Sequence, residues 1–253
     1  MSYRKHLEVL RALPSEELSI RAKRLVDTSP EKDWPVGMPS SIDPKLVLIG
    51  VSPGNSPMQE NKVQEPPAFN SYPSIRPDSS SHFYYPDGAG YWERLRFLSK
   101  SFFNSRDQSM DEGDAISMST HLNLGTGSAG RASTADVERD YVEWVSYLLN
   151  TKFKADLVVL FGLKKILTNE TVNAWWNHDK GLKIDWNSPS EILPFEGYTK
   201  RSYKFRIWRA ENQLGHKSLI VLWPNHPSRA PFRNLDVWRA SVSEFLNAVE
   251  SGR

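Results

Sequence analysis

Apolar residues recur along this chain in two periods, and the alternation between them outlines a fold. Leu7, Leu10 and Leu13, then Leu18, Ile20 and Leu25, fall at roughly helical spacing. Pro14-Ser15 between them reads as a second helix start with Glu16 and Glu17 in its first turn, so the pattern predicts an N-terminal helical pair. Leu46 to Ile49 is a short continuous apolar run of the kind found in buried parallel strands, ending at Gly50. Helical spacing returns at Tyr91 to Leu98, and a strand is predicted over Ile116 to Leu122, closing on Asn123. Ser133 and Asp136 resemble a capping box ahead of a long helix whose buried stripe is Val137, Tyr141, Trp144, Val145 and Leu148. Asp156 to Gly162 is the clearest buried strand, and a helix follows it. Tyr203 to Trp208 alternates like an exposed strand, Ser218 to Trp223 reads as a buried one, and Leu235 to Val249 as a terminal amphipathic helix.

Strands alternating with helices at this spacing predict a three-layer α/β/α sandwich with a central, mostly parallel sheet. One domain spans the 253 residues: residues 1–41 form a helical extension, and 42–250 an α/β core with insertions at 56–90 and 176–200. The first insertion is polar but interleaved with Phe69, Tyr72, Phe83, Tyr84 and Tyr85, which favours a functional loop over a disordered one. The second carries no assignable pattern. In such sheets the loops after the strands' carboxyl ends gather into one crevice, here the loops beginning at Gly50, Asn123, Gly162 and Pro224.

Composition narrows the chemistry. The 32 Lys and Arg against 30 Asp and Glu give a formal charge of +2, so any DNA-binding charge must be local. With no cysteine there is no disulfide, no thiolate-ligated iron–sulfur cluster and no Cys-based zinc site. No apolar run approaches bilayer length and no h-region opens the chain, which makes a cytoplasmic protein the expectation.

Two turns then stand out, Gly50-Val51-Ser52-Pro53-Gly54 and His226-Pro227-Ser228, each placed after an apolar strand, with a strand ending in Asn123 between them. Alone, each reads as an ordinary tight turn. In that order they resemble the motifs of the uracil-DNA glycosylase superfamily. Gly50 to Gly54 is closest in style to the Gly-x-x-Pro-Gly of its mismatch-specific branch, and His226-Pro227-Ser228 is similar to the family's second motif. Leu122-Asn123, Val158 to Gly162 and Phe83-Tyr84-Tyr85-Pro86 before Gly90-Tyr91-Trp92 add to a likeness running from about Lys45 to about Phe245.

The resemblance implies a monofunctional, cofactor-free and metal-free DNA glycosylase: a hydrolase that flips a pyrimidine out of DNA and cleaves its N-glycosidic bond. His226 would donate to the pyrimidine O2 as charge develops there, although a His that merely orders its turn is the alternative. Asn123 would pair with the base edge, against the reading of a turn former. Ser52 stands where the family has Asp or Asn, so water positioning falls to its hydroxyl or to Asn55, Glu60 or Asp87. Gly54 stands where the uracil-specific branch has a Tyr that excludes C5 substituents, which opens the pocket to a modified or damaged pyrimidine, a bulky cytosine of viral DNA among them, over plain uracil. Phe69 or Phe83 would stack on the flipped base, or serve as loop core. Ser228, Arg229 and Phe232 would meet DNA, Arg229 or Phe232 filling the gap left by the base, with Arg233 on phosphate, or the segment is a solvated basic turn. Lys164 opens a helix that can face phosphate. No lysine stands in either motif for a Schiff-base mechanism. DNA is the expected partner of a monomer, in repair or antiviral defence. Two rivals stay open: a base-binding module silenced at Ser52, and a hydrolase of free nucleosides.

Overall fold

Strands buried on both faces must offer apolar side chains to both, and that requirement orders the core. The computed structural model describes residues 44–51, 89–106, 115, 119–125, 133–196 and 202–251. The expected N-terminal helical pair and most of the 56–90 segment, with Ser52, Gly54, Asn55, Phe69 and Phe83, lie outside these residues. Six strands form one sheet: β1 (Leu46–Gly50), β2 (Ser119–Asn123), β3 (Leu157–Phe161), β4 (Glu191–Glu196), β5 (Ser202–Glu211) and β6 (Lys217–Trp223), in the order β2-β1-β3-β6-β5-β4. The pairs β1–β2, β1–β3 and β3–β6 are parallel, while β5 runs antiparallel to both β6 and β4. The helices are α1 (Ala89–Asn104), α2 (Arg139–Thr151), the short α3 (Lys164–Leu167) and α4 (Glu170–Trp176), and α5 (Leu235–Ser251).

Side chains alternate between two clusters with the strand period of two. Val47, Ile49, Leu122, Val158, Leu160, Ile220 and Leu222 face one way and pack with α2, α3 and α4. Leu46, Leu48, Leu157, Val159, Phe161, Leu219, Val221 and Trp223 face the other and pack with α1 and α5. Helices therefore cover both faces of a mostly parallel sheet, as the apolar runs predict. The strands β1 and β6 lead on to helices of one face, β2 and β3 to helices of the other, the topology in which α/β sheets open a crevice at the strands' carboxyl ends.

Three elements differ from the sequence reading. Ser133 opens a 3₁₀ turn (Thr134–Asp136), its N–H and Oγ both donating to the Asp136 carboxylate at 2.8 Å, and α2 begins only at Arg139. The stripe residues are all buried, but Val137 is so from the turn. The helix after β3 is two short ones, because the Asn169 side chain accepts the N–H groups of Thr171 and Val172 and starts α4 anew. The strand read as exposed, Tyr203 to Trp208, is an interior one: β4 covers its outer edge, Phe205 and Ile207 are buried on one face, and Trp208 is buried on the other.

That correction follows from the segment that carried no legible pattern. Trp176 and Trp186, both essentially fully buried, stack edge-on at 5.1 Å, and Trp186 meets Trp208 at 5.0 Å. Ser146 Oγ of α2 donates to Trp176 O (2.6 Å) and accepts from Leu182 N–H (2.9 Å), while Trp208 Nε1 donates to Asp185 O (2.7 Å). The insertion is thereby sealed onto α2 as part of the core. No helix among the described residues is long and apolar enough to cross a membrane.

Gly162 ends β3 with φ +68, and a Cβ there would sit 3.2 Å from His226 N and 3.5 Å from Asn225 C. A left-handed backbone and a near contact act together at this one position. Gly162→Ala is expected to cost about 1–2 kcal/mol of stability, read as a lower urea midpoint at unchanged m-value.

Candidate active site

The crevice is built from strand ends held in register. Gly50 lies opposite Asn123 in the β1–β2 pair, and Leu124 N–H donates to Gly50 O at 3.1 Å, which carries the pairing one residue past the strand. Gly125 then admits the backbone carbonyl of Asp136 into the space a side chain would fill, and Glu138 N–H donates to Leu124 O at 2.9 Å. These contacts fix where β2 stops. Asn123 is thus presented at the carboxyl edge of the sheet, only 2% exposed. An amide buried at a strand end is a group committed to specific partners rather than to water.

On the far side, Phe161 lies opposite Trp223, and Gly162 N–H donates to Trp223 O at 3.1 Å. The chain leaves β6 through Pro224 and folds tightly. Asn225 closes this turn from within: its Oδ1 accepts His226 N–H at 3.0 Å and its Nδ2 donates to Ala230 O at 2.7 Å. Arg229 N–H donates to His226 O (2.9 Å), and Arg233 N–H to Arg229 O (2.8 Å). Asn234 then caps α5, accepting from Asp236 and Val237 N–H.

Within that turn the imidazole of His226 has a defined protonation. Burial, with a smaller contribution from the Arg229 guanidinium, pushes its pKa down to about 4, so the ring is neutral near pH 7. Backbone N–H of Ser228 can only donate, and it does so to Nδ1 at 3.2 Å; Ser228 Oγ lies 2.7 Å from the same nitrogen. Because Nδ1 accepts, the single ring proton resides on Nε2. The edge-on Phe161 ring, 6.5 Å between centroids, forms part of the apolar wall. The site therefore contains a half-buried, neutral hydrogen-bond donor, an arrangement suited to stabilising negative charge.

The structure brings several sequence-predicted residues to this end of the sheet. Asn123 closes β2, His226 lies in the turn three residues after β6, Ser228 and Arg229 are exposed on that turn, and Arg233 is exposed a little further on. Ser228 does more than face solvent, since it orders His226. Lys164 is exposed two residues after Gly162, at the start of a helix only four residues long. Phe232 is a correction. Its ring is fully buried among Phe195, Tyr203, Trp223 and Trp238, so it is core and cannot reach into a duplex.

Sequence reasoning missed Asn225 and Arg94. Arg94 is 7% exposed on α1, donating through Nε to Phe232 O (2.8 Å) and through Nη2 to Arg233 O, while its own carbonyl accepts Trp238 Nε1 at 3.0 Å. Its signal was an arginine beside the apolar positions Leu95 and Leu98, a charge that must find buried acceptors. Among the described residues no group of three His, Asp or Glu side chains is placed to hold a metal ion. No family model, no curated protein and no solved structure matches the chain.

The His226 ring is expected to titrate by NMR with a midpoint near 4, with the proton on Nε2 throughout the neutral range. Since the folded value lies below the ordinary 6.5, the contribution of the neutral ring to stability is fully present above about pH 6.5 and is lost as pH falls from there through about 4. A midpoint at or above 6.5 in the folded protein would contradict the buried, neutral assignment.

Proposed function

We propose that the protein is a monofunctional DNA glycosylase of the uracil-DNA glycosylase type, acting on a modified or damaged pyrimidine. The observation that carries this reading is the neutral His226, its Nδ1 occupied by Ser228 and its proton held on Nε2, at the carboxyl ends of parallel strands. As the bond from C1′ to the base nitrogen breaks, its electron pair leaves on the pyrimidine and negative charge gathers at O2. Nε2–H donates to that oxygen. A ring so hard to protonate acts by hydrogen bonding rather than by proton transfer. Water adds to C1′ and its proton leaves to solvent, giving free base and an abasic sugar.

Asn123 supports the reading from the opposite side. β2 and β6 stand three inter-strand steps apart, about 14 Å, a span that two side chains and one pyrimidine ring can bridge. The amide supplies both donor and acceptor for a base edge. Ser52 and Asn55, which follow β1 in sequence, are the candidates for holding the attacking water, and Gly54 for the enlarged pocket. Arg229, Arg233 and Lys164 supply exposed positive charge for phosphates around the crevice.

Single-turnover assays on duplexes carrying a panel of modified pyrimidines test this directly. Alkali-labile abasic sites are expected on at least one substrate, with excision slowed roughly 100- to 1000-fold by His226→Ala and binding discrimination lost in Asn123→Ala. Binding to such DNA without any abasic product would replace the enzyme by a base-sensing module. Cleavage of free nucleosides without salt-sensitive binding would replace DNA as the substrate.

A further inference from the structure

The turn that carries His226 spans eleven residues between the end of β6 and the start of α5, and little of it is regular structure. One end is anchored by the β3–β6 register and the passage over Gly162. The other needs its own anchor, because Ser228, Arg229 and Ala230 are exposed and contribute no packing. The Phe232 ring supplies part of it from the core. Ring packing restrains position along the core but leaves the peptide planes free to tilt. Those planes are set from α1, where the buried Arg94 guanidinium donates to the carbonyls of both Phe232 and Arg233. Arg94 is itself held, since the Trp238 indole donates to its carbonyl and Trp238 packs on Phe161 and Trp223, the two residues that end β3 and β6.

We propose that Arg94 is a positioning residue for the His226 turn: by forking onto the Phe232 and Arg233 carbonyls it fixes the far post from which Ser228 and Arg229 are hung, and through Ser228 the orientation of the imidazole. The inference deepens the glycosylase reading and rests on His226 being the acting group. Guanidinium chemistry is required for it. A planar fork reaches two successive carbonyls at once, whereas an ammonium of similar length and the same charge offers a point donor without that geometry. Arg94 touches neither base nor sugar in this scheme and acts only through the turn. It also ties α1, the helix that follows the long 56–88 segment, to the same turn, so both walls of the crevice on this face share one anchor.

The test is Arg94→Lys in the full-length protein, read on the turn itself. The expected result is a native circular dichroism spectrum, faster hydrogen exchange at the Arg233 amide, and a His226 titration midpoint raised by one pH unit or more as water reaches the loosened ring. A folded Arg94→Lys protein with both readouts at their wild-type values overturns the proposal, leaving Arg94 as a core-filling charge. If the variant does not fold, the wild-type protein decides: a slowly exchanging Arg94 Nε–H supports the fork, and exchange as fast as that of the exposed Arg229 refutes it. On any duplex the wild-type cleaves, Arg94→Lys is expected to slow single-turnover excision roughly 10- to 100-fold at saturating DNA, with unchanged DNA affinity. Because exchange and titration need no substrate, a protein that cleaves nothing yet shows both shifts retires the glycosylase reading and keeps Arg94, and the converse pattern does the opposite.

Discussion

The near contact between the Gly162 backbone and the Asn225–His226 backbone is the constraint on which the rest of the site depends. β3 and β6 are paired in parallel up to Phe161 and Trp223, and the chains leaving them must part to opposite faces of the sheet. They pass close together there, so that a Cβ at Gly162 would sit 3.2 Å from His226 N, tighter than ordinary packing. Everything that makes His226 distinctive follows from that approach. The half-buried imidazole lies edge-on to Phe161, desolvation lowers its pKa, and the turn is tight enough for the amide two residues on to reach Nδ1. A looser passage would hydrate the ring and return it to ordinary histidine chemistry.

Much of the sheet was legible because strands buried on both faces must be apolar throughout. Leu46 to Ile49, Leu157 to Phe161 and Leu219 to Trp223 read as continuous runs for that reason, and each ends one residue before Gly50, Gly162 or Pro224. The antiparallel half was not legible. In β4, Glu191, Pro194 and Glu196 interrupt the pattern of an edge strand whose outer side needs no ladder partner, and without β4 in view β5 looks exposed. The tryptophan-lined segment before it gains its structure from tertiary contacts with α2 and Trp208, which no local period encodes.

The candidate site divides along the same line. Asn123 and His226 stood out because a strand end is a place that sequence can mark: Asn123 closes β2, and His226 lies in the turn three residues past β6. Phe232 was misread because Arg229-Ala230-Pro231-Phe232-Arg233 has the composition of a surface turn, and only the fold reveals that its middle dips into an aromatic cluster. Arg94 escaped for the mirror-image reason: it sits on a helix of ordinary amphipathic pattern, and its partners are carbonyls nearly 140 positions away. The two residues turn out to form one joint, the ring of one packed and its carbonyl bonded to the other.

That joint bears on how, under the proposed function, a chain of nearly balanced charge would engage a polyanion. A net charge of +2 gives no long-range field, so the proposed DNA binding would rely on where the cations stand. Arg229 and Arg233 stand exposed on the turn, and Lys164 and Lys165 just past Gly162, all at the same end of the sheet. Buried Arg94 is also cationic, but its charge is spent inward on carbonyls, leaving the exposed pair free to face phosphate. Arg229 has a second, smaller effect, since its field adds to the burial that lowers the His226 pKa. A phosphate seated on Arg229 would relax that field and raise the affinity of the ring for a proton. Burial dominates the shift, so in the proposed complex the packing of the ring beside Phe161, more than the surface charge, would hold the imidazole neutral.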